Sequence, residues 1–216
     1  MLTEQQIVCV LRNELVEHDD LRLAWRVVHP DLRSSFNYRW PFPGNWAEVD
    51  PKGREYTLGK SYPQFIGDGI CLAQTWRGAA GGIPASTGLI CGYREEDVLG
   101  RELIRLRVTR AFVFEIVDIQ RIIRDGHMAG RDMFCADLRY GNLRGANLRG
   151  TCLEYANLTN ANLAHTDLRD ARLTGADLLH ANLENTNLTG ACLTCTDLRH
   201  TNLGHAILQG EKEEAE

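Results

Sequence analysis

The sequence of 216 residues lacks any run of about eighteen apolar residues, the length that crosses a bilayer, so it predicts no membrane span. Its first residues contain neither a basic segment nor an apolar core, and we therefore expect no secretory leader. Lysine is scarce, with only Lys52, Lys60 and Lys212 present, so arginine carries most of the positive charge. The formal net charge of −5 predicts no general attraction to nucleic acid or to anionic membranes.

The seven cysteines are odd in number and scattered in spacing. A disulfide framework is expected to use an even number at regular spacings, whereas free thiols persist in a reducing compartment. The sequence therefore predicts free cysteines and a cytoplasmic location.

One pattern dominates the last third of the chain, from Ala136 to Gly210. A small residue is followed by Asn or Asp in most units and then by leucine, and this unit recurs every five residues. Fixed-period self-similarity of this kind is the strongest fold signal in a sequence. The leucines, which are predicted to form the core, are Leu138, Leu143, Leu148, Leu153, Leu158, Leu163, Leu168, Leu173, Leu178, Leu183, Leu188, Leu193, Leu198, Leu203 and Leu208.

A period of five suits neither a helix nor a straight strand. Residues five apart on an α-helix are rotated by about 140°, so the leucines would spiral around it. On a strand, an odd step moves successive leucines to opposite faces. A short extended piece followed by a two-residue bend keeps every leucine inside, and its repetition winds a solenoid whose coils stack about 4.8 Å apart.

The motif A(D/N)LXX over residues 136–210 resembles the repeats of the pentapeptide-repeat family. The resemblance implies a right-handed quadrilateral β-helix, a β-solenoid with one pentapeptide per side, and fifteen repeats would make about four coils. The period by itself leaves three or five sides open.

The composition changes near residue 133. The four Trp, six Pro and six Phe residues all lie at or before Phe134, whereas Leu, Asn, Thr, Gly and Arg make up most of the remainder. The predicted domains are an α+β globular domain at 1–132 that caps the solenoid, the β-helix at 133–210 and a charged tail at 211–216.

Local signals divide the first domain into short elements. Thr3 and Gln6 form a capping-box pattern that opens a helix extending to about Glu17, and a second helix capped by Asp19 or Asp20 is predicted over residues 21–28. Strands are predicted at 69–73, 89–93 and 103–117, and in the last of them Leu106 and Val108 alternate with Arg105, Arg107 and Thr109. A helix is predicted from Asp118 to Gly126.

No catalytic or cofactor-binding residues emerge from the motifs. The segment Gly78–Gly82 is rich in glycine but lacks the following Lys-Ser/Thr of a phosphate loop, so we interpret it as a turn. No nucleophile, base and anion site can be placed together. A nucleotide-using transferase activity in the first domain remains an alternative hypothesis.

Histidine and cysteine give weak metal signals. With twenty residues per coil, His180 and His200 stack, but two ligands are fewer than the three or four that zinc requires. Cys192 and Cys195 have C-x-x-C spacing, yet the repeat places one at an Asn/Asp position and the other at a bend. We therefore expect no metal site, and we expect Asn142, Asn162, Asn182 and Asn202 to form an outward ladder.

Arginines supply the candidate interaction surface. They follow leucines and are therefore expected to point outward, either as a solvated rim with salt bridges or as a docking surface for an acidic partner. The candidates are Arg139, Arg144, Arg149, Arg169 and Arg199.

These observations favour a non-enzymatic protein-interaction or scaffold protein with an unidentified protein partner. The resemblance also implies an alternative, a DNA-mimic ligand of bacterial DNA gyrase. Residues 136–210 carry seven acids and six arginines, a net charge of −1. This charge is unlike that of duplex DNA, and it also argues against binding to nucleic acid. The last coil could form a homodimer through Ile207 and Leu208.

Overall fold

The computed structural model describes residues 1–33, 39–48, 70–73, 75–79, 84–101 and 105–208. The chain divides into two compact units, Met1–Asp118 and Ile119–Glu216. The second unit thus includes fourteen residues that precede the predicted division at 132/133, and the predicted domain limits stay a prediction. No helix within the described residues is both long and apolar enough to span a bilayer.

The first unit contains short helices and an extensive sheet. Its helices are α1 (Glu4–Leu11) and α2 (Trp76–Ala79), with a 3₁₀ turn at Glu95–Asp97. The strands are β1 (Glu17–His18), β2 (Leu21–Val28), β3 (Trp46–Glu48), β4 (Ile70–Ala73), β5 (Thr87–Tyr93), β6 (Val98–Arg101), β7 (Arg105–Val108) and β8 (Arg110–Asp118).

Within the described residues these strands form a single sheet in the order β3-β8-β5-β2-β4-β7-β6, with β1 paired to β2. Every pairing is antiparallel. The longest register joins β2 to β5, from Arg22 opposite Tyr93 to Val28 opposite Thr87. The first unit is therefore sheet-rich, and its buried side chains pack on the faces of this sheet.

The predicted helix over residues 21–28 is wrong, because this segment is strand β2. Asp19 and Asp20 both have left-handed backbone angles, with φ of 51° and 62°, and they form the two-residue turn of the β1–β2 hairpin. Strand β2 lies between β5 and β4 and is buried on both faces. A strand buried in this way has a nearly continuous apolar sequence, which lacks the alternation that marks a half-exposed strand.

The other local predictions were mostly confirmed. Thr3 and Gln6 form both hydrogen bonds of a capping box, although α1 ends at Leu11 rather than near Glu17. Strand β4 falls within the predicted range 69–73, and β5 begins two residues before the predicted 89–93. The described part of the predicted strand at 103–117 is divided at Thr109 into β7 and β8, and β8 extends to Asp118. The turn predicted at Gly78–Gly82 is wrong at Gly78, which lies in α2. Residues 80–82 of this predicted turn lie outside the described residues. Arg107, which alternates with apolar residues in β7, is only 5% exposed.

The second unit opens with helix α3 (Ile119–Arg124), as predicted, and Gly126 follows it with a φ of +84°. This helix supplies partners that the first coil lacks. In later coils the N–H of the Asn/Asp position donates to a carbonyl twenty-one residues earlier, as Asn162 donates to Gly141 at 2.8 Å. The N–H of Asn142 instead donates to the side-chain oxygen of Gln120 at 3.0 Å. Helix α3 therefore closes hydrogen bonds at this end of the repeats.

The remainder of the second unit is a β-helix in which parallel bridges join residues twenty apart. The bridges extend from Asp132 with Cys152 to Asn187 with Ile207. Backbone N–H groups at the leucine positions donate to carbonyls nineteen residues later, for example from Leu158 to Asp177 at 2.7 Å. Residues twenty apart thus occupy the same position on consecutive coils, and we call such a series a column.

Each five-residue unit turns at the second residue after its leucine. This residue has a left-handed backbone in every unit from Cys135 to His205, with glycine at four of these positions, Gly145, Gly150, Gly175 and Gly190. Asn, Asp and His are also common there, and these types tolerate the left-handed region better than other residues with a Cβ. The bend that sequence reasoning required therefore has a defined backbone conformation.

The leucines from Leu138 to Leu188 are fully buried, as predicted. Met133 occupies the equivalent position one unit earlier and is also buried, so the core begins before the first leucine of the repeat. Leu193 and Leu198 are half-buried. Leu203 and Leu208, predicted as core, are 38% and 49% exposed, because the described residues include no further coil to cover them.

Candidate interaction face of the β-helix

The Asn or Asp of each unit has a specific structural role. Its side-chain oxygen accepts a hydrogen bond from the backbone N–H two residues later, as Asp177 accepts from Leu179 at 2.9 Å and Asn187 from Thr189 at 3.0 Å. This is an Asx turn, which fixes the start of the bend without help from another coil. Most units contain this interaction, so a residue of another type at the same position departs from a local stabilising rule.

Three such departures occur in consecutive coils of a single column. Cys152, Arg172 and Cys192 are bridged in this order at twenty-residue spacing and replace the Asn or Asp. With their neighbours they form what we call the Cys152–Cys192 face, defined by Cys152, Glu154, Tyr155, Arg172, Thr174 and Cys192. The sulfurs of Cys152 and Cys192 still accept the N–H of the residue two later, so these positions depart in side-chain chemistry, and Arg172 departs in the contact as well. A departure repeated at one place is a mark of a functional surface.

Polar contacts connect the coils along this face. The Arg172 guanidinium donates to the Glu154 carboxylate at 2.9 Å and to the Cys152 sulfur at 3.3 Å. Arg172 is exposed, as is the ring of Tyr155, which is 59% accessible and packs edge-on against Phe134 at 5.6 Å. The face thus combines an aromatic ring, an ion pair and thiols.

The two cysteines of the column differ in acidity. Hydroxyl groups of Thr174 and Thr194, at 3.3 and 3.5 Å from the Cys192 sulfur, together with the Thr194 backbone N–H, lower the pKa of Cys192 to about 7. Cys152 is half-buried, and the desolvation of its thiolate raises its pKa despite a backbone N–H from Glu154. The exposed thiol of this face is therefore the more readily ionised.

The five arginines predicted as an interaction surface are not brought together. The twenty-residue register assigns them to three columns, with Arg139 and Arg199 in one, Arg149 and Arg169 in another and Arg144 in a third. Most are held by carboxylates. Arg139, Arg169 and Arg199 each pair with the Asp two residues earlier at 2.6 to 2.7 Å, and Arg149 pairs with Asp170 at 3.1 Å. Docking through these arginines stays a prediction.

The other residues singled out in the sequence are placed as follows. The Asn182 amide donates to Asn162 at 3.4 Å and Asn202 donates to Asn182 at 3.1 Å, which confirms the ladder for those three residues. The His180 and His200 rings stack, as predicted. Cys192 and Cys195 are exposed free thiols. Ile207 and Leu208 are 48% and 49% exposed, and dimerisation through them stays a prediction.

Sequence reasoning missed the Cys152–Cys192 face although its signal was present. The cysteines were considered as metal or redox ligands, and Arg172 was not considered with them. Sorting the Asn/Asp positions by columns of twenty would have placed three of the four exceptions in one line, with Ile207 at the end of another column. The ion pair of Arg172 with Glu154 and the contact of the Thr174 hydroxyl with the Cys192 sulfur join different coils, and the sequence alone does not show them.

Comparison with known proteins identifies the repeat. Eight copies of the family model described as pentapeptide repeats match residues 132–170 and 166–204. No curated protein matches this chain.

Similar solved structures include a pentapeptide repeat protein from the Arabidopsis thaliana thylakoid lumen, with 29% identity over 43% of this chain and 60% of that chain and a TM-score of 0.35. HetL of the cyanobacterium Nostoc sp. strain PCC 7120, involved in heterocyst differentiation regulation, has 36% identity over 39% of this chain and 41% of its own, with a TM-score of 0.28. The cyanobacterial Cyanothece 51142 protein Rfr23 has 37% identity over 36% and 59%, with a TM-score of 0.19.

The chain spans between 41% and 60% of the lengths of these relatives. The family match coincides with the residues whose bridges and left-handed turns repeat in register. The chain therefore carries pentapeptide repeats over residues 132–204, and this region is a right-handed β-helix.

Proposed function

We propose that the repeat region is a non-enzymatic protein-interaction module that docks a partner protein on the Cys152–Cys192 face. The proposal depends on one observation, the replacement of the Asx-turn residue by Cys152, Arg172 and Cys192 in three consecutive coils. Asn or Asp would satisfy the backbone N–H of these turns with a stronger acceptor than the sulfurs of Cys152 and Cys192, and the Arg172 side chain has no acceptor for it. A surface role for these side chains accounts for residues that the fold itself does not require.

The interior of the β-helix supports a non-enzymatic role. Its buried polar side chains are Thr151, Thr166 and Thr186, and each hydroxyl donates to a backbone carbonyl at 2.7 to 3.0 Å. The described interior contains no buried ionisable group in the repeats, and the chemistry that varies between units is on the outside. Recognition by the sides of the solenoid is the function that such an arrangement suits.

The composition of the face specifies the kind of partner. Tyr155 supplies an exposed aromatic ring, and aromatic side chains and arginine are the types enriched at protein interfaces. The Arg172 charge is offset by Glu154, so the face has no strong field of either sign. We therefore expect a protein surface with an apolar centre, rather than a polyanion such as nucleic acid.

We further propose that each coil has four sides and that the β-helix contains about four coils. The bridges join residues twenty apart, and twenty residues make four units of five. One unit on each side supports a coil with four sides. Four flat sides would make the Cys152–Cys192 face a continuous surface along one side, on which several coils contact a partner at once.

A capture experiment with mass spectrometry tests the proposal. The full chain is compared with the double variant Arg172→Asn, Cys192→Asn, which restores the residue type of the repeat and is expected to fold. Glu184→Thr is the control, since Glu184 lies in a different column and Thr occupies the same unit position at Thr174 and Thr189. We expect a specific protein captured by the wild type and the control and lost with the double variant.

Equal capture by all three proteins would contradict docking on this face. Capture of DNA gyrase, with protection or inhibition in supercoiling assays, would favour the DNA-mimic alternative. Thermal stabilisation of the chain by a nucleotide would favour a transferase activity instead.

A further inference from the structure

His180 and His200 occupy the same turn position in consecutive coils, and their imidazole rings stack. The ring centroids are 4.9 Å apart and the ring planes are inclined by 16°. The backbone sets this arrangement, because both residues are left-handed, with φ of 59° and 58°, and the His180 N–H donates to the carbonyl of Arg199 at 3.1 Å. Both side chains therefore leave the surface in the same direction, about one strand spacing apart.

We propose that this pair binds a Cu²⁺ ion between the two coils. Imidazole nitrogen is a favoured ligand of copper, nickel and zinc, and Cu²⁺ binds such sites most tightly among the divalent first-row metals. Zinc takes three or four protein ligands, which is why the sequence predicted no metal here. Tetragonal Cu²⁺ accepts two nitrogens and leaves its remaining positions to water.

The imidazole rings of His180 and His200 must move towards each other before one nitrogen of each can bind the same ion. Metal–nitrogen bonds of about 2.0–2.1 Å allow two nitrogens on one ion to be at most about 4.1 Å apart. The rings stack face to face with centroids 4.9 Å apart, and the nitrogen lone pairs lie in the ring planes, so the rings must turn as well as approach before one nitrogen of each can bind the same ion. Both histidines are exposed, and rotation about their side-chain torsions can supply this movement while the backbone ladder stays fixed.

The neighbouring charges favour a cation. Asp197 interacts electrostatically with His200, and the adjacent guanidinium of Arg199 is held by Asp197 at 2.7 Å. Asp177 also interacts with Arg199. The positive charge of Arg199 is thus compensated by two carboxylates, so it offers little repulsion to an arriving cation.

The test uses the full chain without an affinity tag and Cu²⁺ as the probe. The variants are His180→Asn and His200→Asn, because Asn160 and Asn185 already occupy this turn position with φ of 58° and 55°. The control is His165→Asn, a histidine at the same position whose column neighbours are Gly145 and Asn185. Circular dichroism verifies that all three variants fold.

We expect calorimetry to show a Cu²⁺ site that either variant of the pair weakens at least tenfold and that the control leaves unchanged. Electron paramagnetic resonance should show two nitrogen ligands in the wild type. Cu²⁺ should raise the melting temperature of the wild type and the control but not of the pair variants. Wild-type affinity in His180→Asn or His200→Asn, or a spectrum with one nitrogen ligand, would overturn the proposal.

Discussion

The Tyr155 ring lies over the α-carbon of Gly175, one coil further along the same column. A Cβ added at Gly175 would be 2.7 Å from Cε1 and 2.8 Å from Cδ1 of that ring. Glycine is required here for two reasons. Its φ of +66° is a left-handed conformation, and the absence of a Cβ leaves room for the Tyr155 ring.

Gly175→Ala is expected to destabilise the β-helix more than Gly145→Ala. Gly145 has a similar φ of +71°, but nothing lies within 4 Å of an added Cβ. Both substitutions incur the left-handed cost of about 1–2 kcal/mol, and only the first also displaces an aromatic ring. Urea unfolding measures the difference, and because both changes are Gly→Ala their effects on the unfolded chain cancel. Equal losses would show that Tyr155 moves aside freely.

Leucine truncation should have an effect that depends on position along the solenoid. Leu163 is fully buried, and Leu163→Ala should lower the free energy of unfolding by about 2–5 kcal/mol through lost burial and the cavity left behind. Leu203 occupies the same unit position but is 38% exposed, so Leu203→Ala should cost less than half as much. Chemical denaturation of the two variants tests this, and similar costs would imply that Leu203 is covered in solution.

Cys192 should be alkylated at a lower pH than an ordinary thiol, because its pKa is lowered from 9.0 to about 7. The thiolate is the reactive form, and a pKa of about 7 makes about half of Cys192 ionised at neutral pH. Iodoacetamide labelling followed by peptide mass spectrometry should give a rate profile with a midpoint near pH 7.

Thr174→Val tests the cause, because the Thr174 hydroxyl makes the largest contribution to this lowered pKa. The midpoint for Cys192 should rise in that variant, whereas the profile of Cys195 should not change. A midpoint for Cys192 that the variant leaves in place would contradict the role of the hydroxyl.

The Asp197 carboxyl should titrate with a pKa of about 2, because the Arg199 side chain and backbone N–H donate to its ionised form. A carboxyl whose pKa is depressed on folding contributes stability at neutral pH and loses that contribution as the pH falls towards the lowered pKa. In Arg199→Met, carboxyl chemical shifts in NMR should show the pKa of Asp197 moving up towards its ordinary value. Asp167, whose pKa Arg169 lowers, is the reference in the same molecule and should not change.

The sequence predicted the repeat region well because every unit contains its own determinants. A leucine for the core, an Asn or Asp for the turn and a residue that tolerates the left-handed bend all lie within five positions. The first unit was harder, as residues 21–28 show. Their apolar positions are compatible with helical spacing, and only the pairing of β2 with β5 and β4 decides that they form a strand.

Contacts between coils were only partly predictable. Counting in twenties places His180 above His200 and Asn182 above Asn162, and both contacts occur. The end of the core could not be predicted, since Leu203 has the same local sequence signal as Leu163 but lacks a covering coil among the described residues. The burial of Arg107 could not be predicted either, because alternation separates the two faces of a strand and cannot show what covers each face.

The fixed pairing of residues twenty apart also constrains how the repeat region can change in length. Removing one five-residue unit would keep every leucine inside but would shift each later side chain into a neighbouring column. A deletion between Cys152 and Arg172 would end the alignment of those two residues, and a deletion between His180 and His200 would end that of the two histidines. Duplication or loss of a twenty-residue segment preserves all alignments, so a chain of this kind can be lengthened or shortened without disturbing its surface only in whole turns.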